Sequence, residues 1–336
     1  MTNSLILPDG YVSKLNLFET EQAIKLVKDL FESYLAQALN LKRVSAPLFV
    51  RAQTGLNDDL NGIERPVSFD ILDIKAEVQI IHSLAKWKRM ALKKYGFNYG
   101  EGLYTDMNAI RRDESLDNLH SVYVDQWDWE KIISREDRSL DYLKSVVSSI
   151  VLAITKTAQV LAENFPALKQ DFIQDIHFVS SQELEDIYPD KTPFEREFEY
   201  AKKYGLIFVS QIGKYLKSGK RHDGRAPDYD DWDLNGDIIY WSPVLNRAVE
   251  ISSMGIRVDE KSLDLQLKRA NCDYRREYTF HKMLLNGELP LTIGGGIGQS
   301  RLCLLLLQKA HIGEVQVSVW PDEMIEACEN NGINLL

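Results

Sequence analysis

The chain has 336 residues, of which 44% are hydrophobic and 27% charged, and its formal net charge at pH 7 is −10. This balance is typical of a globular protein with a large core, and the acidic excess argues against general nucleic-acid affinity, because phosphate contacts require clustered Lys and Arg. The three cysteines form no C-x-x-C pair, so the sequence predicts neither a zinc knuckle nor a disulfide framework.

Targeting and membrane signals are weak throughout the sequence. Asp9 interrupts the N-terminus before any long apolar run, which is unlike a signal peptide. The longest near-apolar run, residues 302–307, is too short to span a bilayer. Repeats, low-complexity tracts and Pro/Ser-rich linkers are absent from the sequence. We therefore expect a soluble, cytoplasmic protein with a single domain over residues 1–336 and no membrane partner.

The first third of the chain alternates between helical and strand patterns. Apolar residues recur at helical spacing over residues 20–40, and an extended segment with a proline follows at residues 44–50. Alternating apolar residues predict strands at residues 67–71 and 76–80, and residues 86–94 have a helical pattern.

Strand patterns dominate the rest of the chain. A strand at residues 120–129 precedes a long helix over residues 139–165. Short strands follow at residues 176–179 and 206–209, with a polar helix between them, and at 238–241, 249–251 and 256–258. A glycine cluster then leads into an apolar helix at residues 299–308. Runs of strands with few helices between them predict an α+β fold with an antiparallel sheet rather than regular βαβ units.

The glycine cluster is the strongest local signal for ligand binding. Gly294, Gly295, Gly296 and Gly298 precede the helix that contains Arg301 in its first turn. Glycine permits close approach of a ligand to the backbone, and a helix N-terminus attracts phosphate. A tight turn in front of an apolar helix is the alternative. The dinucleotide-binding fingerprint is not met, because no βαβ unit with a downstream acidic residue surrounds the cluster.

Charged residues form three further groups. The run His82-Ser83-Leu84-Ala85-Lys86-Trp87-Lys88-Arg89 is either a binding surface or a solvated basic face. On the strand that follows the turn at Arg111, Gln126 and Asp128 project from one face, where they suit an ammonium group, or they belong to a solvated sheet face. The third group is the acidic series Asp223, Asp228, Asp230, Asp231, Asp233 and Asp237, and most of its loop carboxylates are expected to be solvated.

Two carboxylates near that series suit a metal ion. Asp237 and Glu250 flank a predicted strand and can meet across a hairpin, and Mg²⁺ prefers one or two carboxylates together with substrate phosphates. The six histidines lack the spacing of a zinc site, so each is expected to have a structural role.

Together these segments resemble the catalytic core of class II aminoacyl-tRNA synthetases. The helix before Pro47 resembles the first, dimer-forming motif; Arg111 and the strand to Glu130 resemble the second; and Gly294 to Arg301 resembles the third. Within that superfamily the chain resembles the ammonia-dependent asparagine synthetases, from about Thr20 to Trp320. The matching strings are HSLAKWKR, GEGLYT, LHSVYVDQWDWE, RAPDYDDW, LNGDI, SSMGIRV and TIGGGIGQSRL. The stretch between Asp231 and Leu234 is shorter than in some members.

The resemblance implies a central antiparallel sheet flanked by helices, a homodimer, and the substrates L-aspartate, ATP and ammonia. It implies that Mg²⁺ accompanies ATP, and that asparagine forms through a β-aspartyl-AMP intermediate with release of AMP and pyrophosphate. The resemblance also implies roles for individual residues. Arg111 holds the α-phosphate and the attacking carboxylate, and Arg301 holds the distal phosphates or stacks on adenine. Asp58 is the candidate base that activates ammonia.

The remaining residues complete the site that the resemblance implies. Lys88 and Arg257 clamp the α-carboxylate of aspartate, Gln126 and Asp128 accept its α-amino group, and Ser83 and Ser253 complete the pocket. Asp230, Gly294, Gly295, Gly296 and Gly298 contact the nucleotide, and Asp237 and Glu250 hold Mg²⁺. Two alternatives remain. An aspartyl-tRNA synthetase-like enzyme would need an anticodon-binding domain, and a non-catalytic binding subunit should have lost the phosphate arginines or the metal carboxylates.

Overall fold

The computed structural model describes residues 5–57, 64–169 and 175–336. Eleven strands lie within these residues. They are β1 (Leu41–Arg43), β2 (Phe49–Arg51), β3 (Ser68–Ile71), β4 (Ala76–Ile80), β5 (Gly102–Ile110), β6 (Tyr123–Ile132), β7 (His177–Ser180), β8 (Leu206–Ser210), β9 (Asp230–Ser242), β10 (Arg247–Arg257) and β11 (Thr292–Gly298).

Nine α-helices lie in the same described ranges. They are α1 (Leu17–Leu39), α2 (Ala85–Tyr95), α3 (Leu140–Asn164), α4 (Ser181–Ile187), α5 (Pro193–Tyr204), α6 (Glu260–Arg269), α7 (Thr279–Leu285), α8 (Gln299–Leu306) and α9 (Asp322–Asn330). Helices and strands occur in the mixture that the sequence predicts, so the α+β class is confirmed.

Eight strands form one sheet in the order β1-β5-β6-β11-β10-β9-β8-β7. The six central strands pair antiparallel, whereas each edge strand, β1 and β7, pairs parallel with its neighbour. The last strand along the chain, β11, thus lies in the middle of the sheet. A second sheet of three strands, in the order β2-β4-β3, contains the two strands predicted at residues 67–71 and 76–80.

Helices α1 and α3 cover one face of the main sheet. Asn16 caps α1 through a reciprocal pair of hydrogen bonds with Glu19, and Ser139 caps α3. Buried residues at helical spacing attach α1 to the core, where the ring of Phe31 lies 4.8 Å from that of Trp127 on β6. Both helices begin within three residues of their predicted starts.

Helix α3 is 25 residues long and, by length and composition alone, apolar enough to cross a membrane. Half of its most apolar window is buried inside the protein, and its partner there is α1 together with the sheet. Core helices of globular proteins have the same composition, so this observation is weak evidence for a membrane span. Polar residues interrupt this helix, so the sequence shows no long apolar run there.

Four details of the predicted elements are wrong. The glycine cluster is not a tight turn but most of strand β11, and the strands predicted at residues 249–251 and 256–258 are one long strand, β10, which ends at Arg257. Strand β9 begins at Asp230, so four of the six residues of the acidic series lie in the sheet. Between β7 and β8 there are two helices rather than one, because Pro193 starts a second helix after the turn that ends α4.

Candidate active site

A cavity of about 410 Å³ lies over the centre of the main sheet, where β6, β11 and β10 run side by side. Most of the predicted site residues line it: Ser83, Lys88, Arg111, Gln126, Asp128, Asp230, Glu250, Ser253, Arg257, Gly295, Gly296, Gly298 and Arg301. Gly294 and Asp237 lie directly behind this lining, beside Arg257 and Arg225 respectively. Asp58 lies outside the described residues. Positions more than two hundred residues apart in sequence therefore meet in one place.

The glycines of β11 form the floor of the cavity. This strand pairs with β6 on one side and with β10 on the other, so its backbone N–H groups take part in the two sheet ladders. A Cβ atom on Gly294 would come within 2.0 Å of Glu130 Oε2. A Cβ atom on Gly296 would come within 2.3 Å of Gln126 Oε1. Glycine is therefore required at these positions of β11, because polar side chains of β6 lie across the strand.

A protein carboxylate already lies at the N-terminus of α8. Asp125 Oδ1 accepts a hydrogen bond of 3.0 Å from the backbone N–H of Ser300, and Asp125 Oδ2 pairs with Lys28 of α1 at 3.1 Å. The positive end of this helix thus faces Asp125 rather than an open phosphate site. Arg301, in the same turn, points to the cavity, and its Nη1 lies 3.2 Å from the backbone oxygen of Glu250.

Lys88 is fully buried at the inner end of the cavity. Its ammonium group pairs with Asp128 and also donates to the backbone oxygens of Trp129, at 2.9 Å, and Gly295, at 3.2 Å. Burial lowers the pKa of Lys88, although Asp128 opposes that shift. Because three protein acceptors surround its three N–H groups, Lys88 holds Asp128 in place, and it must exchange a partner before it binds a ligand carboxylate.

Arg257 lies beside Lys88 between two buried carboxylates. Its Nε and Nη2 donate to Glu130, at 3.0 and 2.8 Å, and its Nη1 donates to Asp230 at 2.5 Å. Burial would raise the pKa of Glu130, but Arg257 and Lys88 outweigh it and hold that pKa below its usual value. Burial raises the pKa of Asp230. The structure thus places Asp230 against Arg257, at the predicted amino-acid end, and not among the predicted phosphate ligands.

Gln126 and Asp128 project from the same face of β6 towards the cavity, as the alternation of strand side chains predicts. Ser83 precedes α2, where its Oγ accepts a hydrogen bond from the backbone N–H of Ala85. Ser253 lies in β10 opposite Gly296. Hydroxyl and amide groups therefore surround the ion pairs of Lys88 and Arg257 at this end of the cavity.

Asp237 and Glu250 lie on neighbouring strands, β9 and β10, close enough for their charges to interact. Burial and the charge of Glu250 raise the pKa of Asp237 to about 7, although Arg225 pairs with it and opposes the shift. Among the described residues, Asp237 Oδ1 is buried and has no hydrogen-bond partner. No cluster of three or more potential metal-binding side chains occurs in the described part of the chain. A buried carboxylate with an orphaned oxygen fits a Mg²⁺ site that phosphates would complete.

Arg111 lines the cavity from the turn that follows β5. Its Nη1 lies 3.8 Å from Glu114 in the same turn. Asp113 joins this turn to Arg65, which follows the residues that the structure does not describe. Arg225 and Arg301 also line the cavity. Arg301 lies beside Gly298 and Arg257 beside Gly294, at the two ends of the glycine cluster in β11.

The basic run on α2 is not a solvated face. Lys86, Lys88 and Arg89 are all at least 97% buried. Lys86 pairs with Asp228 at 3.4 Å, and Arg89 donates to the backbone oxygens of Val258 and Pro290. The expectation that most of the acidic series is solvated is also wrong. Four of its members are buried and two are exposed; the buried ones are Asp228, Asp230, Asp231 and Asp237.

Sequence reasoning missed three functional candidates. Glu130 is the last residue of the quoted strand motif, and Arg225 is the first of RAPDYDDW, so both were inside recognised strings without an assigned role. His120 lines the cavity, and its Nδ1 lies 2.8 Å from Asp117 Oδ1. His120 also stands within the string LHSVYVDQWDWE, but an isolated histidine gives no spacing signal, so only the fold reveals its position.

Comparison with known sequences identifies the family. The family model for aspartate–ammonia ligase matches residues 18–332. An aspartate–ammonia ligase from Clostridium tetani is 61% identical over 333 residues, which is 99% of this chain and 98% of that protein. One from Limosilactobacillus reuteri is 57% identical over 334 residues, or 99% of each chain.

Solved structures support the fold. The asparaginyl-tRNA synthetase from Pyrococcus horikoshii, complexed with asparaginyl-adenylate, superposes with a TM-score of 0.66 over 90% of this chain and 70% of that one, at 16% identity. An aspartyl-tRNA synthetase from Entamoeba histolytica superposes with a TM-score of 0.55 over 89% of this chain and 57% of that one, at 18% identity. These similarities confirm the class II synthetase-like fold, and the sequence matches over almost its whole length show that the chain belongs to the aspartate–ammonia ligase family.

Proposed function

We propose that this protein joins L-aspartate and ammonia to form L-asparagine, using ATP and passing through β-aspartyl-AMP. The observation that carries the proposal is the division of one cavity into two ends. One end contains the buried pairs Lys88–Asp128 and Arg257–Glu130, which suit the charged α-groups of an amino acid. The other end has Arg301 beside Gly298, and Arg111 and Arg225 line the same cavity; their guanidinium groups suit phosphates.

In the first step an oxygen of the β-carboxylate attacks the α-phosphorus of ATP, and the bond to pyrophosphate breaks. Such a step depends mainly on positioning and charge neutralisation. Arg111 would hold the α-phosphate and the attacking carboxylate, while Arg301 and Arg225 would hold the departing phosphates. Gln126 and Asp128 would accept the α-ammonium group of aspartate, and Arg257 would bind its α-carboxylate, so that the β-carboxylate points to Arg111.

In the second step the nitrogen of ammonia attacks the acyl carbon, and AMP leaves. Ammonium must first lose a proton, and Asp58 stays our predicted base for that transfer. Asp237 and Glu250 would hold Mg²⁺, which when bound would neutralise phosphate charge. Cytoplasmic localisation and a homodimer belong to the same proposal, and light scattering of the purified protein would determine the oligomeric state.

The test follows pyrophosphate release with ATP, Mg²⁺, aspartate and ammonium, together with asparagine formation. We expect one pyrophosphate for each asparagine, and no reaction when glutamine replaces ammonium. With ¹⁸O in the β-carboxylate, one labelled oxygen should appear in AMP. Label in free phosphate together with ADP would refute the adenylate, and transfer of aspartate to tRNA would support the synthetase-like alternative instead.

A further inference from the structure

We infer that Glu130 is a positioning residue for aspartate, and that residue 294 is glycine because a side chain there would keep Glu130 from Arg257. The inference rests on the proposed function and refines it, because it moves Gly294 from the nucleotide side of the site to the amino-acid side. Glu130 is fully buried beneath Arg257, which lines the cavity. Glu130 therefore acts on a ligand only through the residue that it holds.

The contacts of Glu130 determine which part of Arg257 faces the cavity. Glu130 accepts from Nε and Nη2 along one edge of the guanidinium group, and Asp230 accepts from Nη1. Within the described residues, these bonds use three of the five guanidinium N–H groups and leave one on each terminal nitrogen. That remaining pair is the geometry that binds a carboxylate through two parallel hydrogen bonds.

Gly294 is the position that makes this arrangement possible. An added Cβ would lie 2.0 Å from Glu130 Oε2 and 2.7 Å from Arg257 Nη2. Any side chain there would displace the ion pair from the floor of the cavity. Gly298, on the predicted phosphate side, is different: the three atoms nearest to a Cβ there all belong to Arg301, at 3.3 to 3.6 Å. Two glycines of one strand thus serve opposite ends of the cavity.

The energetics favour a specific effect of Glu130 on Arg257. A buried guanidinium group is tolerated only when carboxylates or carbonyls satisfy it, and removing one partner of such a pair is costly. Without the Glu130 carboxylate, Arg257 would turn towards Asp230 or towards Asp128, and either movement changes the edge presented to aspartate. The ATP side is held by other arginines and should be little affected.

The experiment compares wild type with Glu130→Gln, Glu130→Asp, Gly294→Ala and, as a matched control on the same strand, Gly298→Ala. Pyrophosphate release gives KM for aspartate and for ATP separately. We expect the first three variants to raise the aspartate KM about 10-fold or more while the ATP KM stays within about twofold. Gly298→Ala should instead raise the ATP KM, because it touches Arg301.

The Glu130→Asp variant keeps the buried charge, so it tests the inference if the other two fold poorly. An ATP KM that rises equally in the Glu130 and Gly294 variants would overturn the inference, as would an unchanged aspartate KM. If wild type releases no pyrophosphate with aspartate and ammonium, the proposed function fails instead, which distinguishes the two failures.

Discussion

Arg65 and Asp113, which both line the cavity, form a bidentate ion pair. Arg65 Nη2 lies 2.5 Å from Asp113 Oδ1, and Arg65 Nε lies 3.0 Å from Asp113 Oδ2. The backbone N–H of Arg65 donates to the same carboxylate at 3.1 Å, and these contacts lower the pKa of Asp113 to about 2. The pair connects the chain that follows residue 63 to the turn bearing Arg111.

A charge swap tests the importance of this pair. Arg65→Glu and Asp113→Arg should each raise the ATP KM about fivefold, because the pair steadies the turn that bears Arg111. The double variant, Arg65→Glu with Asp113→Arg, should recover most of that loss. Additive losses in the double variant would show that the two side chains act separately.

Removing the charge of Lys88 should destabilise the folded protein. Lys88→Met leaves the carboxylates of Asp128 and Glu130 buried with one cation fewer, so we expect the free energy of unfolding to fall by about 3 to 5 kcal/mol. Denaturant titration measures this change, and adding Asp128→Asn should recover part of it. Lys93→Met on the exposed side of the same helix is the control, with a change of about 0.5 kcal/mol or less. A Lys88 variant as stable as the control would contradict the prediction.

The proposed metal carboxylates can be tested without catalysis. Asp237→Asn and Glu250→Gln should raise the Mg²⁺ concentration needed for half-maximal thermal stabilisation by ATP about 10-fold or more, because each removes an anionic oxygen ligand. Asp233→Asn is the matched control: this carboxylate is on the same strand as Asp237 but is exposed. Equal Mg²⁺ dependence in all three variants would exclude the two residues as ligands.

His311 should make stability depend on pH in the acidic range. Burial lowers its pKa from 6.5 to about 4. Between these two pH values the unfolded chain binds a proton that the folded chain does not, so stability falls as the pH drops from 6.5 to 4, by roughly 3 kcal/mol from this group. In His311→Asn, whose amide oxygen can still accept from the backbone N–H of Gly313, this part of the pH dependence should vanish. Parallel pH profiles for the two proteins would refute the assignment.

Hydrophobic periodicity predicted the helices and strands that are specified by residues close together in sequence. Helices α1 and α3 have caps and apolar stripes that can be read from neighbouring residues, and the strands β3 and β4 alternate cleanly. The same reading placed Gln126 and Asp128 on one face of β6, which the structure confirms. These features depend on contacts between residues close together in sequence.

The glycine-rich strand β11 and the burial of the charged residues could not be predicted from hydrophobic periodicity. Gly294 looks like a loop residue because the reason for its lack of a side chain, Glu130, is 164 positions away in the sequence. Lys88 and Asp230 look solvated until the fold supplies Asp128 and Arg257 as partners. A charge is buried or exposed according to tertiary contacts, and a single sequence does not contain them.

The central place of β11 also has a consequence for how the protein is made. Strands β6 and β10 must each leave one edge unpaired until residues 292–298 have emerged from the ribosome. Unpaired edges invite strand addition from other chains, so the nascent chain is most prone to aggregation shortly before synthesis ends. The segment that closes the sheet is also the floor of the cavity. A truncated product without this segment would therefore be both prone to aggregation and inactive.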